Sequence, residues 1–313
     1  MKSNKWDVSV IIPFLNEEEN IDELLNILDN TFKKIKKRFQ VVFVDDGSTD
    51  DSVDIIKKTK DKCFSIKLIK LSKNFGSHSA IRSGILHSDG DYITFLAADL
   101  QEDPKNVIDF HASCVSNKYD VLIIIRETFA NSFSEKMFSL FYSWVIKVFV
   151  SKDYPNKNIS NFMISRKVQT QLNKNIASNT SILLQIYNMG FKKGYVTYTQ
   201  SNRKSGKSKW TFSKKLKLFI DSIVSFSYVP LRMISISGAI FFFLGFVYII
   251  FVLISHFVFK NIQYGWPTLI SIILMGFGLT NVSLGIISEY LWRIYDNSKN
   301  TAAFIIDEIY DIN

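Results

Sequence analysis

Val41-Val42-Phe43-Val44-Asp45-Asp46-Gly47-Ser48 joins an unbroken apolar run to an acid-rich turn. Such a run, bounded by Asp and Gly, reads as a strand buried on both faces that ends in a tight turn. The pattern recurs at Tyr92-Ile93-Thr94-Phe95-Leu96-Ala97-Ala98-Asp99-Leu100-Gln101. Outward from these two stretches, strand and helix signals alternate. Residues 8–12 are apolar and stop at Pro13. Asn16, with Glu19 three residues on, reads as a helix cap. Ile21, Leu24, Leu25, Leu28, Phe32 and Ile35 then recur at helical spacing. Strands are expected at 40–44, 66–71, 92–96 and 119–125. Ser48 or Thr49 caps a helix carrying Val53 and Ile56, another helix covers 79–87, and Pro104 opens a further one. Strand–helix units of this length predict an α/β fold, a mainly parallel Rossmann-like sheet with helices on both faces. In such sheets ligands bind beyond the carboxyl ends of the strands, where Asp45, Asp46 and Asp99 fall.

The second half reads differently. No charged residue occurs from 233 to 259, nor from 261 to 288. Each run exceeds the roughly 20 residues needed to cross a hydrocarbon core, which predicts a transmembrane hairpin. Four segments follow: 1–211 as the α/β domain, 212–230 as a basic interfacial helix, 231–292 as two spans near 233–257 and 267–290, and 293–313 as a tail. The interfacial helix is read from Lys214, Lys215 and Lys217 flanking Leu216, Ile220, Ile223 and Val224. Residues 133–150 form a wide apolar face with Lys136 and Lys147 among it, expected to pack on the sheet, the alternative being a helix resting on a bilayer. Basic residues before the first run and after the second, with Lys260 alone between, place both chain ends in the cytoplasm.

Charge supports the same division. The 313 residues carry 38 basic and 29 acidic side chains, a net charge of +9. Lys192, Lys193, Arg203, Lys204, Lys207, Lys209, Lys214, Lys215 and Lys217 crowd the stretch before the apolar runs. That position favours membrane lipids or phosphates over nucleic acid, because the aromatic residues that might stack on bases lie in apolar periodic segments. Cys63 and Cys114 have no metal-binding spacing and read as free thiols. Residues 1–7 lack an apolar signal core, so the first half is expected to stay in the compartment where it is made. Gly276, Gly278 and Gly285 leave room for helix association, so a homo-oligomer is among the expected assemblies.

Acids at neighbouring strand ends suit a nucleotide-sugar donor. Asp45 and Asp46 offer acceptors to base and ribose. Asp99 and Gln101 suit a Mg²⁺ or Mn²⁺ ion shared with the diphosphate. Arg126 and the loop 203–209 suit the charge of a leaving diphosphate or an acceptor phosphate.

The motifs Val10-Ile11-Ile12-Pro13-Phe14-Leu15-Asn16-Glu17 and Val44-Asp45-Asp46-Gly47-Ser48-Thr49-Asp50 resemble those of family-2 glycosyltransferases with the GT-A fold. Leu71-Ser72-Lys73-Asn74-Phe75-Gly76 and Ala98-Asp99-Leu100-Gln101 are similar to the branch that glycosylates polyprenyl phosphates, the dolichyl-phosphate mannose synthase-, GtrB- and ArnC-like enzymes. The resemblance implies transfer of a sugar, from a UDP-sugar by preference, to undecaprenyl phosphate at the cytoplasmic face of the cell membrane, with inversion. It implies nucleotide contacts at Pro13, Asn16, Glu17, Asp45, Asp46, Gly47 and Ser48. It also implies a metal at Asp99, with Gln101 beside the diphosphate and Arg126, Arg203 and Lys209 facing phosphates.

Two positions depart from the family pattern. Ala97 stands where the first acid of an acid–any–acid motif is usual, with Asp103 a little further along the loop. Ile159-Ser160-Asn161-Phe162 lacks the aspartate that the family treats as a base. A phosphate monoester is mostly dianionic at neutral pH and needs little deprotonation before attack, whereas a sugar hydroxyl needs a base. The missing acid therefore favours a phosphate acceptor. The alternatives are a polysaccharide-synthase-like enzyme, against which Gln200-Ser201-Asn202-Arg203-Lys204 lacks the needed tryptophan, and a catalytically impaired membrane scaffold.

Overall fold

The computed structural model describes residues 6–127, 159–174, 181–199, 265–298 and 302–312, with isolated positions at 147 and between 233 and 254. The elements run β1 (Trp6–Phe14), α1 (Glu18–Phe32), β2 (Phe39–Asp45), α2 (Ser52–Lys58), β3 (Ser65–Leu71), α3 (Ser77–His87), β4 (Gly90–Phe95) and α4 (Lys105–Asn117). Then come β5 (Val121–Glu127), β6 (Ile159–Ser165), α5 (Arg166–Lys174), α6 (Ile182–Asn188), β7 (Lys193–Thr199), α7 (Trp266–Ser298) and β8 (Ile306–Ile312). The readings made on 133–150 and on the basic helix 212–230 lie outside the described residues.

One eight-stranded sheet organises the chain, in the order β7-β5-β6-β4-β1-β2-β3-β8. Strands β1 to β4 are mutually parallel, and β5 is parallel to β7. Strand β6 runs antiparallel to both β4 and β5, and β8 antiparallel to β3. The sheet is thus mixed, with the expected parallel pattern at its centre. After β1 the chain moves through β2 and β3 to one side, then returns to place β4 on the other side of β1. The reversal between β1 and β4 opens a crevice at their carboxyl ends.

Alternation along the strands sorts the helices into two layers. Val8, Val10 and Ile12 of β1 share one core with Ile21, Leu24, Leu25, Leu28 and Phe32 of α1 and with Val107 and Phe110 of α4. Each such buried side chain contributes about 1.5–3 kcal/mol. Phe32 stacks on Phe39 with ring centroids 4.0 Å apart. On the opposite face α3 lies so close to β1 that a Cβ on Gly84 would come within 2.3 Å of Ile11. Any larger residue at 84 would push α3 off the sheet. Cys63 and Cys114 are free thiols, and burial pushes the Cys114 thiol up to about 12.

The last residues of the chain are not the tail expected for 293–313. Helix α7 continues to Ser298, and Ile306–Ile312 forms the edge strand β8. Its apolar Ile312 and Tyr310 pack against the core, while Lys57 donates to the Tyr310 hydroxyl at 2.9 Å. A Lys70–Asp307 ion pair at 3.3 Å adds to this hold. The isoleucines at 306, 309 and 312 recur every third residue among three acids, a spacing that does not match the period of two of a half-buried strand.

Residues 223–301 form a second compact unit. Within it α7 is 33 residues long and exposes Phe277, Val282, Leu284, Leu291 and Ile294. Counting only described residues, no helix is long and apolar enough to cross a membrane. Most of the first apolar run, and several side chains of α7, lie outside that description.

Candidate active site

Three loops at the carboxyl ends of β1, β2 and β3 lock into one another. Asn16 is not the helix cap expected of it, because α1 begins at Glu18. Instead Asn16 takes a left-handed φ of 53°, a conformation that asparagine tolerates better than most residues. Its backbone N–H donates to Ser48 Oγ at 3.0 Å, and its Oδ1 accepts from the Thr49 N–H at 2.8 Å. The Glu17 N–H donates to Ser52 Oγ at 2.9 Å. Glu18 and residues 50–51 exchange a further pair: the Glu18 N–H donates to Asp50 Oδ2 and the Asp51 N–H to Glu18 Oε2. The cap expected at Ser48 or Thr49 falls later, since α2 begins at Ser52. Ser48 is spent on joining the two loops.

Asp46 reaches the third loop. Its Oδ1 accepts from the Phe75 N–H at 2.7 Å, and its Oδ2 accepts from the Gly76 N–H at 3.0 Å. Burial raises its carboxyl above the ordinary value, while the Phe75 and Gly76 N–H groups pull it back down. Gly47 sits between at φ +83°, where a Cβ would come within 2.8 Å of the Asn74 nitrogen. Only glycine fits that close approach in that conformation. Asp45 is fully buried, and its Oδ1 accepts from the Ser48 N–H at 2.7 Å. Its Oδ2 has no hydrogen-bond partner among the described residues. Pro13, next to last in β1, is in register with Val44 and so borders the same turn.

The fourth loop leaves β4 on the other side of β1. Asp99 Oδ1 accepts from the Gln101 N–H at 3.3 Å around Leu100, whose φ is 57°. A left-handed leucine costs about 1–2 kcal/mol and persists only where its neighbours hold it. Asp103, an acid further along the loop from Ala97, is engaged at the start of a helix. It is exposed, and its Oδ1 accepts from the Lys105 N–H at 2.9 Å, which starts α4.

The next residue back, Glu102, was not singled out from the sequence, yet it is the best-tied carboxylate of this loop. Glu102 Oε1 accepts from the Tyr198 hydroxyl at 2.6 Å, and Oε2 accepts from Asn161 Nδ2 at 3.3 Å. Asn161, only 1% exposed, also donates to the Phe95 carbonyl and accepts from the Phe162 N–H at 2.7 Å. These partners come from strands far along the chain, so no local spacing announces them.

Hard oxygen donors at Asp99 and Gln101 fit a Mg²⁺ or Mn²⁺ ion that keeps waters and substrate phosphates as further ligands. Among the described residues no group of three or more His, Cys, Asp or Glu side chains is placed to hold a metal by itself. Arg126, next to last in β5, is in register with Tyr198, at the carboxyl ends of the strands. Arg203 and Lys209 lie outside the described residues. Lys192 and Lys193 belong to the opposite edge, at the start of β7. There they donate to the Asn117 and Tyr187 carbonyls at 2.7 and 2.9 Å, at the amino ends of the strands.

The chain is similar in sequence to known glycosyltransferases. The chain is 30% identical over 309 residues to the uncharacterized glycosyltransferase YkcC of Bacillus subtilis (strain 168), covering 97% of this chain and 94% of that one. It is 26% identical over 314 residues to the undecaprenyl-phosphate 4-deoxy-4-formamido-L-arabinose transferase of Proteus mirabilis (strain HI4320), covering 99% and 95%. A crystal structure of Staphylococcus aureus TarS 1-349 in complex with UDP-GlcNAc superposes with a TM-score of 0.45 at 20% identity, covering 64% of this chain and 60% of that one. Residues 9–188, which span β1 to α6 and all four loops, match the family model described as Glycosyl transferase family 2, and the chain belongs to that family of glycosyltransferases.

Proposed function

We propose that the protein transfers a sugar from a nucleoside diphosphate sugar, UDP-linked by preference, to a polyprenyl phosphate at the cytoplasmic face of a membrane, inverting the anomeric centre. What supports this reading is that the Asn16, Asp45–Asp46 and Asp99–Gln101 turns all follow the carboxyl ends of adjacent parallel strands, β1, β2 and β4, beside the crevice between β1 and β4. The interlocked turns of β1 and β2 take base and ribose, with Pro13, Asn16, Glu17, Asp45, Asp46, Gly47 and Ser48 as the contacting set. Asp99 and Gln101, across the crevice, take the diphosphate and its cation. A divalent ion there would neutralise charge growing on the departing diphosphate. The lipid phosphate oxygen attacks the anomeric carbon from the face opposite the leaving group. Its dianionic form makes a base at position 161 unnecessary, which fits a buried Asn161 already engaged with Phe95, Phe162 and Glu102. Arg126, Arg203 and Lys209 steer phosphates.

A lipid acceptor is supported by α7 itself. From Trp266 to Ser288 it carries no charge. Thr280, Asn281, Ser283 and Ser288 each donate to a carbonyl one turn back in their own helix, at 2.8–2.9 Å. Polar side chains satisfied in this way suit a hydrocarbon surrounding, where no water is at hand. Helix α7 and the preceding apolar run then form the two spans of a membrane hairpin, with the catalytic sheet and both chain ends on the cytoplasmic side. Relatives named for undecaprenyl phosphate transfer support the same acceptor.

The test uses the full chain purified in detergent with undecaprenyl phosphate, a panel of UDP- and GDP-sugars, and Mg²⁺, Mn²⁺ or chelator. The expected product is one lipid-linked sugar, seen by mass spectrometry and lost with chelator. Nucleotide binding without transfer from any donor would overturn the reading in favour of an inactive membrane scaffold.

A further inference from the structure

The geometry points to Glu102 as the positioning residue of the Asp99–Gln101 turn, acting through Tyr198 and Asn161. The inference rests on the proposed placement of donor diphosphate and cation at that turn. Three observations carry it. Leu100 holds a left-handed φ of 57° in the middle of the turn, and the 3.3 Å bond from the Gln101 N–H to Asp99 is long for so tight a bend. Glu102 directly follows, and its two oxygens are held from two different strands: Tyr198 of β7 at 2.6 Å and Asn161 of β6 at 3.3 Å. Those anchors are themselves fixed. Asn161 is 1% exposed and bonded to the end of β4 through the Phe95 carbonyl. Tyr198 is 9% exposed, and its ring packs edge-on against Phe110 with centroids 6.2 Å apart. The exit of β4 and the residue that closes the turn are therefore both tied to the sheet through Asn161. The turn between them is left with little freedom, and Asp99 and Gln101 are presented in one orientation.

The polarity of the network also explains what each residue type does here. An aspartate at 161 would set a second carboxylate against Glu102 and against the Phe95 carbonyl, whereas the Asn161 amide donates to both. Tyr198 supplies a hydroxyl donor to Oε1 that phenylalanine would remove. Glutamine at 102 can keep both bonds, its Oε1 accepting from Asn161 and its Nε2 donating to the Tyr198 oxygen. A positioning role and a charge role therefore separate cleanly.

The experiment is calorimetric titration of UDP, and of GDP in parallel, into the full-length protein in detergent with Mn²⁺ present. Variants are accepted only if their melting temperatures match the parent. Glu102→Ala should weaken nucleotide binding about tenfold or more, as loss of an outer-shell tether of a metal-binding turn does, with the Mn²⁺ concentration needed for half-saturation rising alongside. Glu102→Gln should stay within about threefold, and Tyr198→Phe should fall between the two. Glu102→Gln as weak as Glu102→Ala would overturn the inference and make the carboxylate's charge the required feature. Glu102→Ala binding like the parent would overturn it outright. Because the readout is binding, failure of sugar transfer to undecaprenyl phosphate in the parent would sink the proposed acceptor and leave this inference standing. A parent that binds neither nucleotide would sink both.

Discussion

The two edges of the central sheet are built on opposite plans. At the amino ends of β1, β2 and β4 the polar groups satisfy one another. Ser9 Oγ donates to Gln40 Oε1 at 2.6 Å, the Gly90 N–H donates to Ser9 Oγ at 2.8 Å, and Gln40 Nε2 donates to Asp89 Oδ2 at 3.1 Å. Lys67 closes that network on Asp89 at 2.8 Å. At the carboxyl ends the loops brace each other but carry left-handed residues at Asn16, Gly47, Gly76 and Leu100. They also hold a buried carboxylate oxygen, Asp45 Oδ2, with no partner among the described residues. A closed network stabilises the fold; strained turns with spare acceptor capacity are what a ligand site requires. The same strands thus carry a closed polar network at one end and, on the proposed function, the donor site at the other.

The sharpest way to break this contrast is Gly47→Ala. The left-handed conformation and a Cβ within 2.8 Å of the Asn74 nitrogen together should cost about 3–5 kcal/mol and abolish nucleotide binding, read by urea unfolding and calorimetry. Gln40→Leu attacks the other edge. It strips partners from Ser9 and Asp89, so stability should drop by about 2–4 kcal/mol while UDP affinity in the folded protein stays within about twofold. Asp45→Asn should do the reverse. Removing a buried charge with one unpartnered oxygen should leave stability within about 1 kcal/mol of the parent or raise it, yet weaken UDP binding about tenfold. If Gln40→Leu lost nucleotide affinity, or Asp45→Asn lost mainly stability, the division between edges would fail.

The smallest effect is a pH dependence. Burial raises the Asp46 carboxyl above its ordinary 3.8, so in the window just above that value the folded chain binds more protons than the unfolded one. The group's contribution to stability therefore falls as pH rises through that window and levels off above the folded value. Asp46→Asn should flatten this part of the slope in unfolding curves taken at several pH values. A slope unchanged by the substitution would show that Asp46 titrates normally.

Much of this was legible in the chain. The apolar runs at 41–44 and 92–96, each followed by acids, located two central strands, β2 and β4. The helical spacing from Ile21 to Phe32 gave the buried face of α1 in full. What stayed hidden depended on distant partners. Asn16 reads as a cap locally, but its amide is claimed by Thr49 across the neighbouring turn. Glu102 looked like one more loop acid until β6 and β7 brought Asn161 and Tyr198 to it. The antiparallel direction of β6 and the return of β8 to β3 follow from tertiary pairing, which no period of two or 3.6 encodes.

Hydrogen–deuterium exchange of the full-length protein in detergent, with and without UDP and Mn²⁺, separates the two ends of the strands. New protection is expected at residues 14–17, 45–51, 73–76 and 99–102, the four loops at the carboxyl edge, and none around Ser9, Gln40 and Asp89. Protection centred on the Ser9–Gln40–Asp89 edge, or spread evenly over both, would contradict the proposed donor site at the carboxyl ends.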